Sequence, residues 1–182
     1  AGDLGAATDY VTTYVTESVK AGVGSALKHF PGYGNNADTH TGIAVDKRSA
    51  ETFRASDFLP FKAGIDAGCG IVMVSHNIVE CFDKENPASL SAEVHRVLRE
   101  ELSFDGVITT DDLAMQAITD SYGSGEAAVL AIEAGNDLIC CSDLSVKYEA
   151  VKSAYESGRI TLSRIEESVL RILEYKVTMG LL

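Results

Sequence analysis

Two adjacent aspartates, Asp111 and Asp112, directly follow the apolar run Val107–Thr110. The run predicts a buried strand, and a carboxylate at the end of such a strand is poorly solvated, so it can act as a nucleophile or a base. The alternative is that one aspartate caps the helix that follows. Position alone leaves both interpretations open, and each aspartate can serve one of them.

A second candidate pair is Asp38 and His40, which lie two residues apart in the polar segment 34–46. A turn can bring the carboxylate to the imidazole, which fixes the histidine tautomer and raises its pKa toward the range useful for acid/base catalysis. The alternative is an Asx turn that leaves His40 exposed to solvent.

Three further polar residues follow apolar runs, and they are Lys28, His29 and His76. Lys28 and His29 could recognise hydroxyl groups of a polar ligand, or could be a lysine at the rim of a sheet beside a buried histidine. For His76, support of neighbouring residues is favoured over ligand contact. His95 lies among charged residues in a predicted helix and is predicted to be exposed to solvent.

The elements that must position these residues alternate strictly between strands and helices, which predicts a parallel α/β sheet. Strands are predicted at 23–30, 70–75, 107–110 and 137–141. Helices are predicted at 8–21, at 49–67 with a break at Pro60, after a cap at Ser91, and at 124–134, 145–157 and 163–178. The last helix is predicted to begin with a Ser163/Glu166 capping box and to present an apolar face of Ile165, Val169, Ile172, Leu173 and Val177.

Two architectures fit this alternation, an open doubly wound sheet and a (β/α)8 TIM barrel. No glycine-rich phosphate fingerprint follows a strand, whereas polar residues cluster after the carboxyl ends of the strands, where a barrel carries its active site. A complete barrel needs about 250 residues. Four β/α units therefore predict a half-barrel fragment, with residues 1–182 forming one partial domain.

Charge and cysteine usage narrow the classes of function. The net charge of −12 argues against nucleic-acid or anionic-membrane binding, and no apolar run approaches the ~18 residues of a membrane span. The four cysteines show no CxxC spacing, and Cys69, Cys140 and Cys141 are predicted to be small buried apolar residues rather than disulfide or zinc-site residues.

On residue chemistry alone, three interpretations remain. One is a retaining glycosidase with a carboxylate nucleophile. Another is a metal-dependent barrel hydrolase in which His29, His40, His76 and Asp111 are ligands. The third is a catalytically incomplete fragment with an assembly role.

Two motifs carry a resemblance to a known family. Lys28–Gly34 followed by Asp38-Thr39-His40, and Phe104–Met115, resemble signatures of glycoside hydrolase family 3, in particular its β-N-acetylhexosaminidase branch. The likeness continues through Met73–His76, Glu126–Ala128 and Ala134–Leu138 and covers nearly the whole chain. Tyr33 departs from the family pattern, which usually has histidine at that position.

The resemblance implies a role for each matching residue. Asp111 would be the nucleophile that forms a covalent glycosyl-enzyme, and His40 the general acid/base with Asp38 as its partner. Lys28 and His29 would bind sugar hydroxyls. The implied activity is removal of terminal β-N-acetylglucosamine, with muropeptide-derived N-acetylglucosaminides as one implied substrate, and with no cofactor and no metal.

The resemblance also implies that the chain corresponds to the last four strands of the barrel. The first four strands would be absent, together with an arginine and an aspartate that grip the sugar in the family. Open strand edges seek partners, so we expect the chain to associate with itself or with an N-terminal half. The sequence leaves the cellular compartment open.

Overall fold

A parallel sheet forms the centre of the computed structural model, which describes residues 3–34 and 42–182. Its strands are β1 (Ala26–Phe30), β3 (Ile71–Val74) and β5 (Val107–Thr110), in the order β1-β3-β5. A second parallel pair joins β2 (Val45–Asp46) to β4 (Ile78–Val79). The α/β class and the barrel-fragment architecture predicted from the alternation are confirmed.

Three of the helices begin and end within one residue of the predicted ranges 124–134, 145–157 and 163–178. The helix bounds are α1 (Leu4–Lys20), α2 (Ala50–Ala55), α3 (Phe58–Asp66), α4 (Ala92–Arg96, continued by a π turn at Val97–Glu101), α5 (Gln116–Thr119), α6 (Ser124–Ala134), α7 (Leu144–Glu156) and α8 (Leu162–Thr178). Ser91 caps α4 as predicted, because its side chain accepts a hydrogen bond from the Val94 backbone N–H. Helix α6 ends at Ala134 as predicted, and Gly135 follows it with a φ of 122°.

The main core lies between the sheet and helices α2 to α4. Phe30 is fully buried and packs against Phe58 and Phe61, with ring centroids 5.5 and 5.2 Å apart. Burying a side chain of this size contributes about 1.5–3 kcal/mol. This packing fixes the end of β1, directly after Lys28 and His29.

Two predicted helix boundaries are wrong. The break in segment 49–67 falls at Ser56 and Asp57 rather than at Pro60, because Pro60 lies in the first turn of α3, where a missing N–H costs no intrahelical bond. The cap of α8 is Thr161, whose hydroxyl accepts from the Arg164 N–H, rather than Ser163.

The apolar face of α8 is not buried as the pattern suggests, and none of its residues is fully buried. The helix is held instead through its polar side, where Arg164, Ser168 and Arg171 reach the buried carboxylate of Asp137. Tyr175 lies against Gly70, where a Cβ atom would come within 2.3 Å of its ring.

The fourth predicted strand, 137–141, is also wrong. The segment forms no strand; it lies beside β5 with an isolated bridge between Thr109 and Leu138, and the Cys140 N–H donates to the Thr110 hydroxyl at 3.1 Å. Because the segment is not embedded in the sheet, Cys140 is exposed and Cys141 is only partly buried, whereas Cys69 is buried as predicted. All four cysteines are free thiols.

Within the described ranges, β1 has a strand neighbour on one side only. The association inferred from open strand edges therefore stays a prediction. No helix among the described residues is both long enough and apolar enough to cross a membrane.

Candidate active site

Asp111 lies at the carboxyl end of β5 with its two carboxylate oxygens in different surroundings. Its backbone N–H donates to the Val74 carbonyl at 3.0 Å, which continues the β3–β5 ladder past the end of the strand. Oδ1 accepts the Asp112 N–H at 2.9 Å, and Oδ2 lies 3.7 Å from His29 Nε2. The side chain is 18% exposed, so one oxygen is held while the other faces a partly open site.

Asp112 takes the structural role that the sequence left open between the two aspartates. Its Oδ1 accepts the Ala114 N–H at 2.9 Å, and its carbonyl accepts the Met115 N–H at 3.0 Å. These bonds form the turn that precedes α5. Asp112 therefore stabilises the local backbone, and Asp111 is left as the candidate for chemistry.

His29 is the predicted substrate-binding residue that the structure brings to Asp111. Its ring is partly exposed and meets Tyr33 edge-on, with centroids 5.3 Å apart. Tyr33 occupies the position where the family motif usually has histidine. The Tyr33 ring therefore packs directly on a candidate sugar-binding side chain.

Lys28 precedes His29 on β1, and the peptide bond between them is cis. Its side chain is exposed and lines a groove between β1 and α1, formed with Val11, Leu27 and Phe61. None of the described contacts joins Lys28 to Asp111. Its role in binding sugar hydroxyls stays a prediction.

Asp38 and His40 fall outside the described residues, so their predicted roles are neither supported nor contradicted by geometry. The described residues on either side of that segment converge on Arg48. Its guanidinium donates to both oxygens of Asp46 at 2.8–3.1 Å and to both oxygens of Asp57 at 2.9 and 3.1 Å. It also stacks over the Phe53 ring at 4.2 Å.

The backbone before the segment lies against the same cluster. A Cβ atom at Gly34, whose φ is 55°, would lie 2.8 Å from the Arg48 guanidinium carbon, and one at Gly32 would lie 2.2 Å from an Asp57 carboxylate oxygen. Hydrogen bonding to Asp46, with a contribution from Asp57, raises the pKa of Arg48 above its ordinary value. Sequence reasoning missed this cluster, although Gly32, Gly34 and the Asp46/Arg48 spacing were visible signals.

His76 follows β3 and is fully buried. Its two ring nitrogens form hydrogen bonds with the Ser89 hydroxyl and the Asp112 carbonyl. This arrangement favours the supporting role predicted for it over ligand contact. It also makes His76 a poor metal ligand, because both nitrogens are already engaged.

The prediction that His95 is exposed to solvent is wrong. The residue is only 3% exposed, and Nδ1 donates to the Ser91 carbonyl at 2.8 Å. The Gly135 backbone lies close to its side chain, with a Cβ position 3.2 Å from the His95 Cβ. The charged neighbours of His95 face outward on α4, and the histidine itself faces inward.

The metal-hydrolase alternative finds no support in the described part of the chain. Residues 3–34 and 42–182 contain no group of three or more histidine, cysteine, aspartate or glutamate side chains placed to hold a metal ion. His29 Nε2 lies 3.7 Å from Asp111 Oδ2, and these two residues alone do not make a group of three ligands.

Comparison with known families matches nearly the whole chain. The family model described as Glycosyl hydrolase family 3 N terminal domain matches residues 2–175. A curated protein named Beta-hexosaminidase, from Stenotrophomonas maltophilia (strain K279a), is 40% identical over 140 residues, which cover 74% of this chain and 41% of that protein.

Solved structures give the same result. A glycoside hydrolase family 3 β-N-acetylglucosaminidase from Paenibacillus sp. str. FPU-7 superimposes with a TM-score of 0.86 at 37% identity, over 91% of this chain and 34% of that one. A β-glucoside phosphorylase, BglX bound to 2FGlc, has a TM-score of 0.86 at 30% identity, over 93% of this chain and 33% of that one. The chain thus spans less than half the length of these relatives.

Proposed function

Because the chain belongs to glycosyl hydrolase family 3, we propose that it carries the nucleophile of a retaining enzyme that removes terminal β-N-acetylglucosamine. The observation that carries the proposal is the placement of Asp111. It lies at the carboxyl end of a parallel strand, with Oδ1 bonded to the Asp112 backbone and Oδ2 directed toward His29. Barrel enzymes place their catalytic groups at this end of the strands.

The reaction then proceeds in two displacements. In the first, Asp111 Oδ2 attacks the anomeric carbon, the bond to the leaving oxygen breaks, and His40 donates its proton to that oxygen. In the second, His40 takes a proton from water, whose oxygen attacks the anomeric carbon and releases Asp111. Asp38 holds the His40 ring, while His29 and Lys28 bind sugar hydroxyls.

A histidine acid has an electrostatic consequence at this site. After donating its proton, His40 is neutral, whereas a carboxylic acid would become an anion beside the ester that Asp111 has formed with the sugar. The histidine therefore places less negative charge near Asp111. The β-hexosaminidase and β-N-acetylglucosaminidase relatives support N-acetylglucosaminides as the substrate class.

The test uses the purified protein with 4-nitrophenyl N-acetyl-β-glucosaminide and the matched variants Asp111→Asn and Asp112→Asn. We expect Asp111→Asn to lose turnover to background while keeping its circular dichroism spectrum. Asp112→Asn should retain activity, because asparagine can still accept the Ala114 N–H. Equal activity of the two variants would refute the assignment of the nucleophile.

His40→Ala separates the acid/base role from a structural one. We expect it to slow substrates with poor leaving groups by about 10²–10⁴-fold and to affect activated aryl glycosides far less. Equal losses on both substrates would contradict the role. Formation of a glycosyl phosphate in phosphate buffer would show phosphorolysis instead of hydrolysis, and loss of activity to chelators would favour a metal-dependent hydrolase.

A further inference from the structure

A series of hydrogen bonds between buried polar groups runs from Ser89 through His76 and Asp112 to Asp111. His76 Nδ1 lies 2.7 Å from the Ser89 hydroxyl, and His76 Nε2 lies 3.0 Å from the Asp112 carbonyl oxygen. His76 and Ser89 are both 0% exposed. In this packing, each nitrogen of the ring has one defined partner.

The chemistry of these partners fixes the protonation of the ring. A carbonyl oxygen can only accept, so Nε2 must carry a hydrogen. In the neutral ring Nδ1 is then an acceptor, and the Ser89 hydroxyl must donate to it. Burial lowers the pKa of His76, which agrees with a neutral ring.

Ser89 is itself held in place by its backbone. Its N–H donates to the Ser75 carbonyl at 2.9 Å, and its carbonyl accepts from Asn136 Nδ2 at 2.8 Å. The same Asn136 nitrogen donates to the Ala131 carbonyl at 2.8 Å, so the amide orientation is also defined. The hydroxyl of Ser89 is therefore presented to His76 from a fixed position.

The other end of this hydrogen-bond series reaches Asp111. The Asp112 carbonyl accepts from both His76 Nε2 and the Met115 N–H, while the Asp112 N–H donates to Asp111 Oδ1 at 2.9 Å. Movement of the Asp112 backbone would therefore turn the Asp111 carboxylate. Its Oδ2 would then leave the position facing His29.

We propose that His76 and Ser89 are positioning residues that orient Asp111 by holding the Asp112 carbonyl. This inference rests on the proposed function, because it assigns Asp111 as the nucleophile. Neither His76 nor Ser89 contacts the reacting atoms in this arrangement. Their effect is on the geometry of attack, where a misplacement of about 1 Å can cost about 10²-fold in rate.

Two amide variants separate positioning from packing. His76→Gln places an amide nitrogen near the position of Nε2, so it can still donate to the Asp112 carbonyl. His76→Asn is shorter and places its amide near Ser89, where it cannot reach that carbonyl. Both remove the ring, so a merely structural role predicts similar losses from both.

We expect His76→Asn to lower kcat on 4-nitrophenyl N-acetyl-β-glucosaminide by about 10²-fold, with KM changed by less than about twofold. His76→Gln should recover most of the loss, to within about fivefold of the unchanged protein, and the two variants should have similar Tm values. Equal kcat values in the two variants, or a loss confined to KM, would overturn the proposal.

A measurement without substrate keeps this test separate from that of the proposed function. Long-range ¹H–¹⁵N NMR should show His76 as the Nε2–H tautomer at pH 7.5, and Ser89→Ala should change that signature. His76→Asn should also move the carboxyl ¹³C shift of Asp111, while the exposed Asp105 serves as a control. An Nδ1–H tautomer, or an unmoved Asp111 shift, overturns the positioning pair even if the protein hydrolyses glycosides.

Discussion

Replacing Asp137 with asparagine removes the charge at the centre of a buried network that joins α8 to β5. The Asp137 side chain is 0% exposed, and its Oδ2 accepts from Arg99 Nη2 at 2.8 Å and from the Ile108 N–H at 3.0 Å. Its Oδ1 accepts from Ser168 at 2.8 Å and from Arg171 at 3.1 Å. Arg164 lies 3.6 Å from the same oxygen.

The expected loss in the free energy of unfolding follows from the arginines that Asp137→Asn leaves without a carboxylate partner. Asparagine has one acceptor oxygen, and its NH2 group would face a donor on one side. The Arg99 side chain is only 20% exposed, and this burial lowers its pKa. Leaving such cations without their buried partner costs about 3–5 kcal/mol, which corresponds to a fall in Tm of roughly 6–20 °C for a chain of this size.

The measurement is urea unfolding at pH 7, followed by circular dichroism, with the loss taken from the midpoint at unchanged m value. The exposed Asp105 supplies the control, since Asp105→Asn should change the free energy of unfolding by no more than about 0.5 kcal/mol. A loss below about 1 kcal/mol for Asp137→Asn would refute the reasoning. It would mean that water solvates the arginines and that other contacts hold α8.

Two further predictions concern the other buried polar groups. Arg48→Lys should lower the free energy of unfolding by about 3 kcal/mol, because lysine cannot bind two carboxylates bidentately. The control, Arg54→Lys at an exposed ion pair, should lower it by no more than about 1 kcal/mol. Equal losses of the two variants in urea unfolding would contradict this prediction. The free energy of unfolding should fall between pH 7.5 and 5.5, because burial lowers the pKa values of His76 and His95 below the unfolded value of about 6.5, so the unfolded state binds more protons as the pH drops. A flat or rising profile in that window would contradict the buried, neutral histidines.

The sequence was sufficient to predict the sheet strands that carry the site. The apolar runs that end at Phe30, Ser75 and Thr110 are short and are followed by polar or turn-forming residues, so their length and flanking residues identify them as strands. The fourth run, 137–141, has the same composition but forms only one bridge, at Leu138. Composition does not reveal whether a neighbouring strand is present to complete the pairing.

The orientation of single side chains was harder to predict. His95 was placed at the surface because of its charged neighbours, yet it is buried. The apolar positions of α8 suggested its inner face, yet the helix is bound through Arg164, Ser168 and Arg171. His95 packs against Gly135, and α8 is bonded to Asp137; both neighbours are distant in sequence, so a local pattern could not identify them.

The same reason explains why the candidate nucleophile was predicted, while of its two supports only His76 was expected to have a supporting role and Ser89 was not identified. Asp111 can be identified from the sequence because it follows an apolar strand. Its orientation depends on Ser89 and His76, which precede it by 22 and 35 positions in the sequence. The two carboxylate oxygens of Asp111 have different surroundings. Oδ1 accepts a hydrogen bond from the Asp112 backbone, and Oδ2 is directed toward His29. If both oxygens accepted backbone bonds, the carboxylate would be stabilised as an anion and would be a weaker nucleophile. Holding only Oδ1 fixes the direction of Oδ2 while leaving it available for attack, and this arrangement requires the Asp112 backbone to stay where His76 holds it.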